Sequence, residues 1–97
     1  MTAIAPNEAR RVFYSGHVQG VGFRYTVRRI AQPMAATGFV RNRSDGRVEL
    51  YAEGPRDELN SLLAAVGEKM ADNIHSTQVH VEPALSQHNS FEIAPDQ

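Results

Sequence analysis

The sequence predicts an α+β sandwich of two layers, in which two helices cover one face of an antiparallel sheet. Several short runs alternate apolar and polar residues with the period of a strand, and longer runs between them repeat apolar residues with the period of a helix. An Asp-Gly pair between two of the short runs marks a hairpin. The resulting order, β-α-β-β-α-β, is that of the ferredoxin-like fold.

The first half of the chain reads as a strand, a glycine loop, a helix and a second strand. The strand covers residues 11–18, with apolar residues at positions 12, 14 and 18, and two glycines then end it. From Phe23 to Met34 the apolar residues fall on one side of a helix, and Pro33 tightens or ends its last turns. Residues 38–42 form the second strand.

The second half begins with the Asp-Gly pair at residues 45–46, which predicts a tight turn because both residues tolerate positive φ. The third strand follows, and its alternating pattern predicts that it is half-exposed. Its outward residues are Arg47, Glu49, Tyr51 and Glu53. Pro55 opens the second helix at the first position, where proline is favoured. Residues 77–81 supply the fourth strand and residues 91–93 a short extra one.

Length and composition predict one domain, which we assign to residues 10–95, after a flexible N-terminal extension at residues 1–9. Residues 94–97 are also expected to be loose. The absence of cysteine excludes disulfides and thiolate catalysis, and the four histidines show no metal-ligand spacing. The net charge of −1 argues against a nucleic-acid surface, and no apolar run could span a bilayer. We therefore expect a cytoplasmic monomer that binds neither nucleic acid nor a membrane.

The segment GHVQGVGFR, residues 16–24, joins the first strand to the first helix and carries the clearest chemical signal. Its glycines let the backbone turn sharply and let a ligand approach closely. The first amides of the helix have no internal partner and lie at the positive end of its dipole, which suits a phosphate. Arg24 opposes that dipole, so its position makes sense if an anion sits between it and the amides.

Two known phosphate motifs do not fit this loop. The Walker pattern requires a glycine, then any four residues, then Gly-Lys-Ser/Thr, and no such run occurs. The dinucleotide fingerprint requires a third glycine where Tyr25 stands, and 97 residues leave no room for its doubly wound sheet. The loop is therefore predicted to be a phosphate cradle of another kind.

Three later blocks follow the glycine loop along the chain: GFVRN at 38–42, DGRVE at 45–49 and EG at 53–54. In this order and spacing, the four blocks together resemble the acylphosphatase family, and the resemblance extends over residues 12–93. It implies the ferredoxin-like fold. It also implies hydrolysis of the carboxyl–phosphate bond of small-molecule acyl phosphates to carboxylate and inorganic phosphate, without a metal or a cofactor.

The resemblance also implies roles for individual residues. Arg24 and backbone amides of the loop bind the substrate phosphate; these amides are those of Gln19, Gly20, Val21, Gly22, Phe23 and Arg24. Asn42, at the end of the second strand, holds the attacking water, and the phosphate itself takes the proton of that water. The residue types suit these roles, because arginine presents a fork of donors to phosphate oxygens and an amide both donates and accepts.

Other interpretations of the same residues stay open. A non-catalytic phosphate- or anion-binding module of the same fold would keep the cradle but would have no need of Asn42. An RNA-binding ferredoxin-like domain would need aromatic residues on its central strands, for which Tyr14 and Tyr51 are the loose candidates. His17 adjoins the loop and could act as a base, although the family varies at this position. Ser90 stands where the family commonly has glycine, which leaves the path of the last strand open.

Overall fold

The computed structural model describes residues 7–97. Its elements are β1 (Asn7–Gly16), α1 (Phe23–Ala31), β2 (Thr37–Asn42), β3 (Val48–Pro55), α2 (Arg56–Lys69), β4 (Ile74–Pro83) and β5 (Phe91–Ile93). The strands form a sheet in the order β4-β1-β3-β2-β5. The predicted α+β, ferredoxin-like class is confirmed. Because β5 pairs with β2 in parallel and the other pairs are antiparallel, the short extra strand makes the sheet mixed.

Both helices pack on one face of the sheet, and the core lies between the two layers. Helix α1 buries Phe23, Val27 and Ala31. Helix α2 buries Leu59, Leu62 and Val66. On the sheet these side chains meet a cluster that includes Val12, Tyr14, Val40, Val48 and Leu50. The helical spacing of the buried residues places them on one side of each helix, as the sequence predicts. Within residues 7–97, no helix has the length and apolar character needed to cross a membrane.

Strand β3 is more buried than its alternating pattern predicts. Its outward residues Glu49, Tyr51 and Glu53 are at most 4% exposed. Arginine side chains of β1 and β2 cover Glu49. The loop from β4 to β5 crosses this face of the sheet, and the amides of its residues Leu85 and Ser86 donate to the carboxylate of Glu53. The prediction of a half-exposed β3 is therefore wrong, because long side chains and a crossing loop cover the face away from the helices.

Several element boundaries also differ from those predicted. Strand β4 spans Ile74–Pro83 instead of residues 77–81, and Pro55 precedes α2 instead of occupying its first position. Strand β1 includes residues 7–9, which the sequence assigns to the flexible extension, and they pair with β3. The remainder of that extension, residues 1–6, lies outside the residues that the structure describes. Helix α1 ends at Ala31, before Met34, the last apolar residue of the predicted helical face. Pro33 ends the helix, as the sequence predicts, because it lacks the amide hydrogen that a further helical turn requires.

Residues 94–97, expected to be loose, continue beside β2 after β5 ends. The amide of Ala94 donates to the carbonyl of Val40, and the amide of Gln97 donates to the carbonyl of Asn42, both at 2.9 Å. These bonds extend the path of β5 toward the edge of the sheet where β2 ends. The expectation of a loose end is therefore wrong for this segment.

Candidate active site

The glycine loop and the end of β2 lie at the same edge of the sheet. Tyr14 in β1 pairs with Val48 in β3, and Val48 in turn pairs with Asn42 in β2. Directly opposite residues of antiparallel strands share a face, so Asn42 lies on the helix side together with these two core residues. Neighbouring strands are ~4.8 Å apart, so about 10 Å separates β1 from β2 across this row.

Residues 17–22 connect β1 to α1 through a backbone that is left-handed at two positions. Gly20 has a φ of 75° and Gly22 a φ of 80°, which glycine adopts without strain. A Cβ at either position would meet nothing within 4 Å, so glycine is needed here for its conformation and not for space. Val18 and Phe23, each 1% exposed, anchor the loop in the core.

The N-terminus of α1 presents amides without helical partners. The amide of Thr26 donates to the carbonyl of Gly22 at 3.0 Å, so the amides of residues 23–25 precede the first hydrogen bond of the helix. No side chain in the described part of the chain caps this end, and the first turn contains no acidic residue. The helix therefore offers donors and the positive end of its dipole to an anion.

Arg24 lies in this first turn, as the sequence predicts, and its guanidinium is partly exposed. Its Nη1 donates to Oδ1 of Asp96 at 3.2 Å. One turn further along α1, Arg28 pairs with Glu92 at 3.3 Å. Two ion pairs therefore join α1 to β5 and to the segment that follows it. Because a guanidinium has five N–H donors, the contact with Asp96 leaves most of them for a ligand.

The side-chain oxygen of Asn42 is a buried acceptor without a partner in the described part of the chain. Its Oδ1 accepts no hydrogen bond from residues 7–97, whereas its backbone carbonyl accepts one from Gln97. Because Asp96 and Gln97 are consecutive, their contacts bring Arg24 and Asn42 to the same edge of the sheet. A buried acceptor left unsatisfied costs ~1–3 kcal/mol, so such an atom in a folded protein calls for a functional explanation.

Gln19 contributes a side chain to this site, whereas the prediction concerned only its backbone amide. Its Nε2 donates to the carbonyl oxygens of Arg43 at 2.8 Å and of Arg47 at 2.9 Å. These two residues flank the turn between β2 and β3, and Arg43 directly follows Asn42. No motif in the sequence signals the contact, because the loop and the hairpin turn meet only in the folded sheet.

His17 is held by its backbone. Its amide donates to the carbonyl of Asn73 at 2.9 Å, and Nδ2 of Asn73 donates to the carbonyl of His17 at 3.1 Å. The entry to the glycine loop is thus tied to the turn before β4, while the His17 side chain is exposed. In the part of the chain that the structure describes, no three His, Cys, Asp or Glu side chains are grouped so that they could hold a metal ion.

The buried Glu49 organises the arginines behind the site, on the face of the sheet away from the helices. Its Oε1 accepts hydrogen bonds from Arg41 at 2.9 Å and Arg43 at 3.1 Å, and its Oε2 accepts one from Arg11. Burial acts to raise the pKa of Glu49, but the hydrogen bonds from Arg41 and Arg11 outweigh it and hold the pKa below its ordinary value. The ionised carboxylate therefore helps to fix the position of Arg43, whose carbonyl oxygen accepts a hydrogen bond from the Gln19 side chain.

Comparison with known proteins identifies the family. The chain matches the family model described as Acylphosphatase over residues 10–93. An acylphosphatase of Solibacter usitatus is 39% identical over 94 residues, which cover 95% of this chain and 96% of that protein. An acylphosphatase of Archaeoglobus fulgidus is 40% identical over 88 residues, which cover 89% of this chain and 97% of that protein.

Solved structures agree with these sequence matches. The crystal structure of acylphosphatase from Bacillus subtilis aligns with a TM-score of 0.80 at 37% identity, over 90% of this chain and 98% of that chain. The structure of an acylphosphatase from Coxiella burnetii aligns with a TM-score of 0.77 at 31% identity. The similarity covers nearly the whole length of each partner, in sequence and in fold. The chain therefore belongs to the acylphosphatase family, enzymes that hydrolyse acyl phosphates.

Proposed function

We propose that the chain hydrolyses acyl phosphates at the sheet edge where the glycine loop and Asn42 lie. The amides of residues 19–24 and the guanidinium of Arg24 hold the phosphate, and Asn42 holds the attacking water. The observation that carries the proposal is the buried Oδ1 of Asn42, which has no partner among residues 7–97 and lies at the same edge as a loop suited to an anion. The products are a carboxylate and inorganic phosphate.

The phosphate is bound by charge and by a geometry that is present before it arrives. The left-handed glycines shape the loop, the helix amides are free to donate, and Arg24 adds a planar fork that matches phosphate oxygens. Asp96 competes for one nitrogen of this fork. Because the Asp96 side chain is 66% exposed and its contact with Arg24 is 3.2 Å long, the pair is a weak one that a phosphate displaces.

The reaction step needs a positioned water and no ionisable base from the protein. The oxygen of the water attacks phosphorus, the bond from phosphorus to the acyl oxygen breaks, and the carboxylate leaves with the bonding electrons. The proton of the water passes to a phosphate oxygen. Because a carboxylate leaves readily, this reaction depends mainly on positioning and on neutralising charge, which Asn42 and Arg24 supply.

The test is the hydrolysis of acetyl phosphate near neutral pH, with EDTA present, by the parent protein and by variants of the two residues. Arg24→Ala should weaken inhibition by inorganic phosphate and lower kcat by ~10³-fold or more. Arg24→Lys should restore little, because an ammonium group cannot reproduce the planar fork. Asn42→Ala should lower kcat by about 10²-fold, the scale for one positioned polar group, and should leave the phosphate inhibition constant unchanged.

The matched control is Asn89→Ala, an exposed asparagine on the loop before β5, which should behave as the parent does. If Asn42→Ala weakens phosphate inhibition as strongly as Arg24→Ala, Asn42 is a phosphate ligand and its assignment to the water is wrong. Complete loss of the parent's activity in EDTA would contradict a reaction that needs no metal.

A further inference from the structure

We propose that the side chain of Gln19 is a positioning residue, which sets the distance between the bound phosphate and the water held by Asn42. This inference rests on the proposed function, since it assigns Gln19 a task only if Asn42 holds the water. It concerns the side-chain amide, which is distinct from the backbone amide of Gln19 in the phosphate cradle.

The two hydrogen bonds of Gln19 fix its amide group in one orientation. A primary amide nitrogen carries two hydrogens, and Nε2 has one acceptor for each, the carbonyl oxygens of Arg43 and Arg47. Both carbonyls belong to a closed turn, because the amide of Arg43 donates to the carbonyl of Arg47 at 2.8 Å and the amide of Gly46 donates to the carbonyl of Arg43 at 3.1 Å. Gln19 therefore binds a rigid structure and not a loose loop.

This contact bridges two strands that are not neighbours. Strand β3 lies between β1 and β2 in the sheet, so no backbone ladder links the loop after β1 to the end of β2. The backbone of His17 ties the same loop to Asn73 on its other side. Among residues 7–97, the side chain of Gln19 is thus the one that joins the glycine loop to the hairpin turn. This turn begins one residue after Asn42.

The contact between Gln19 and the hairpin turn matters because the reaction is sensitive to small displacements of the reacting groups. An attacking atom must lie ~3–3.5 Å from its target, and a misplacement of about 1 Å can lower the rate by ~10²-fold. Without the Gln19 side chain, the loop and the hairpin turn can shift relative to each other. The loop amides and Arg24 would still move together, because they belong to one continuous segment that leads into the first turn of α1. Turnover should therefore fall while phosphate affinity is kept.

The experiment measures kcat for acetyl phosphate and the inhibition constant of inorganic phosphate in four proteins. They are the parent, Gln19→Met, Asn42→Ala and the double variant. Methionine has a similar length but donates no hydrogen bond. We expect Gln19→Met to lower kcat by about 10–100-fold with the phosphate inhibition constant within about 2-fold of the parent. In the Asn42→Ala background, the same change should lower kcat by less than about 3-fold, because the water is no longer held.

Gln78→Met, an exposed glutamine of β4, is the matched control and should keep the kcat of the parent. Parent-like kcat in Gln19→Met, equal losses of kcat and phosphate affinity, or equal effects of Gln19→Met in the two backgrounds would each overturn the inference alone. Parent-like kcat in Asn42→Ala would overturn both the inference and the proposed role of Asn42. If Gln19→Met does not fold, Gln19→Asn takes its place with the same expected results. The asparagine side chain is one methylene shorter than that of glutamine, so its amide cannot reach both carbonyl oxygens.

Discussion

Replacing Glu49 by glutamine should strongly destabilise the fold. Glu49 is 1% exposed, and its carboxylate accepts hydrogen bonds from Arg11, Arg41 and Arg43. Glutamine keeps the shape of the side chain but removes the charge and turns an amide donor toward arginine donors. Removing one partner of a buried ion pair costs ~3–5 kcal/mol. The three arginines are 24–30% exposed and can turn toward water, so we expect a loss of about 2–3 kcal/mol in the free energy of unfolding.

The assay is urea denaturation followed by circular dichroism at neutral pH, with a thermal melt beside it. In a domain of this size each 1 kcal/mol moves Tm by roughly 4–8 °C, so the expected loss corresponds to roughly 8–24 °C. The matched control is Glu68→Gln, because Glu68 is exposed on α2 and has no ion-pair partner among residues 7–97. The control should leave the urea midpoint unchanged.

The pH dependence gives a second check on the same residue. Its arginine partners hold the pKa of Glu49 below its ordinary value in the folded protein. Its contribution to stability is therefore fully present above the unfolded pKa and is lost as pH falls through the folded pKa. The difference between the parent and Glu49→Gln should therefore be largest near neutral pH and shrink in acid. A difference of less than about 1 kcal/mol at neutral pH, or one that does not shrink, would refute the reasoning.

Three further predictions concern single residues. Gly38→Ala should lower the free energy of unfolding by at least about 3 kcal/mol in a urea titration, because the new Cβ would lie 1.9 Å from the carbonyl oxygen of Tyr51. Gly67→Ala, in open space on α2, should instead raise it by roughly 0.5–1 kcal/mol. Equal losses in the two variants would contradict this prediction. His17→Gln should keep kcat within about 3-fold, since a protein base contributes ~10²–10⁴-fold, and a loss of that larger size would make His17 a base. Asp96→Asn should tighten inhibition by inorganic phosphate by about 2–5-fold at low salt and less at high salt, whereas weaker inhibition would show that Asp96 assists binding.

Features with a short-range pattern could be predicted from the sequence. The Asp-Gly turn, the helix that starts at Phe23 and the place of Arg24 in its first turn each depend on neighbouring residues alone. The alternation of β2 also placed Asn42 on the face of Val40, and the register of β2 with β3 confirms that both lie on the core side. Local conformational preference and periodicity are sufficient for such features.

Features that depend on which strands become neighbours could not be predicted. The contact of Gln19 with the hairpin turn requires the order β1-β3-β2, and the alternation of any single strand carries no information about that order. The burial of Glu49 depends on arginines from β1 and β2, which reach across the face that the alternation of β3 assigns to solvent. Asp96 meets Arg24 because β5 runs parallel to β2 and carries residues 94–97 to the edge where the glycine loop lies.

The short length of β5 affects how often the Arg24 side chain is available to an anion from solvent. This strand pairs with only three residues of β2, and three backbone hydrogen bonds, to Val40, Asn42 and Ser44, hold the segment that follows. So few interactions give a low free energy for local opening, well below that of global unfolding. The amides of Ala94 and Gln97 should therefore exchange with deuterium far faster than that of Leu50. Each opening of residues 94–97 would part the Asp96 carboxylate from Arg24, so we expect the Arg24 guanidinium to become available to an anion from solvent without unfolding of the domain.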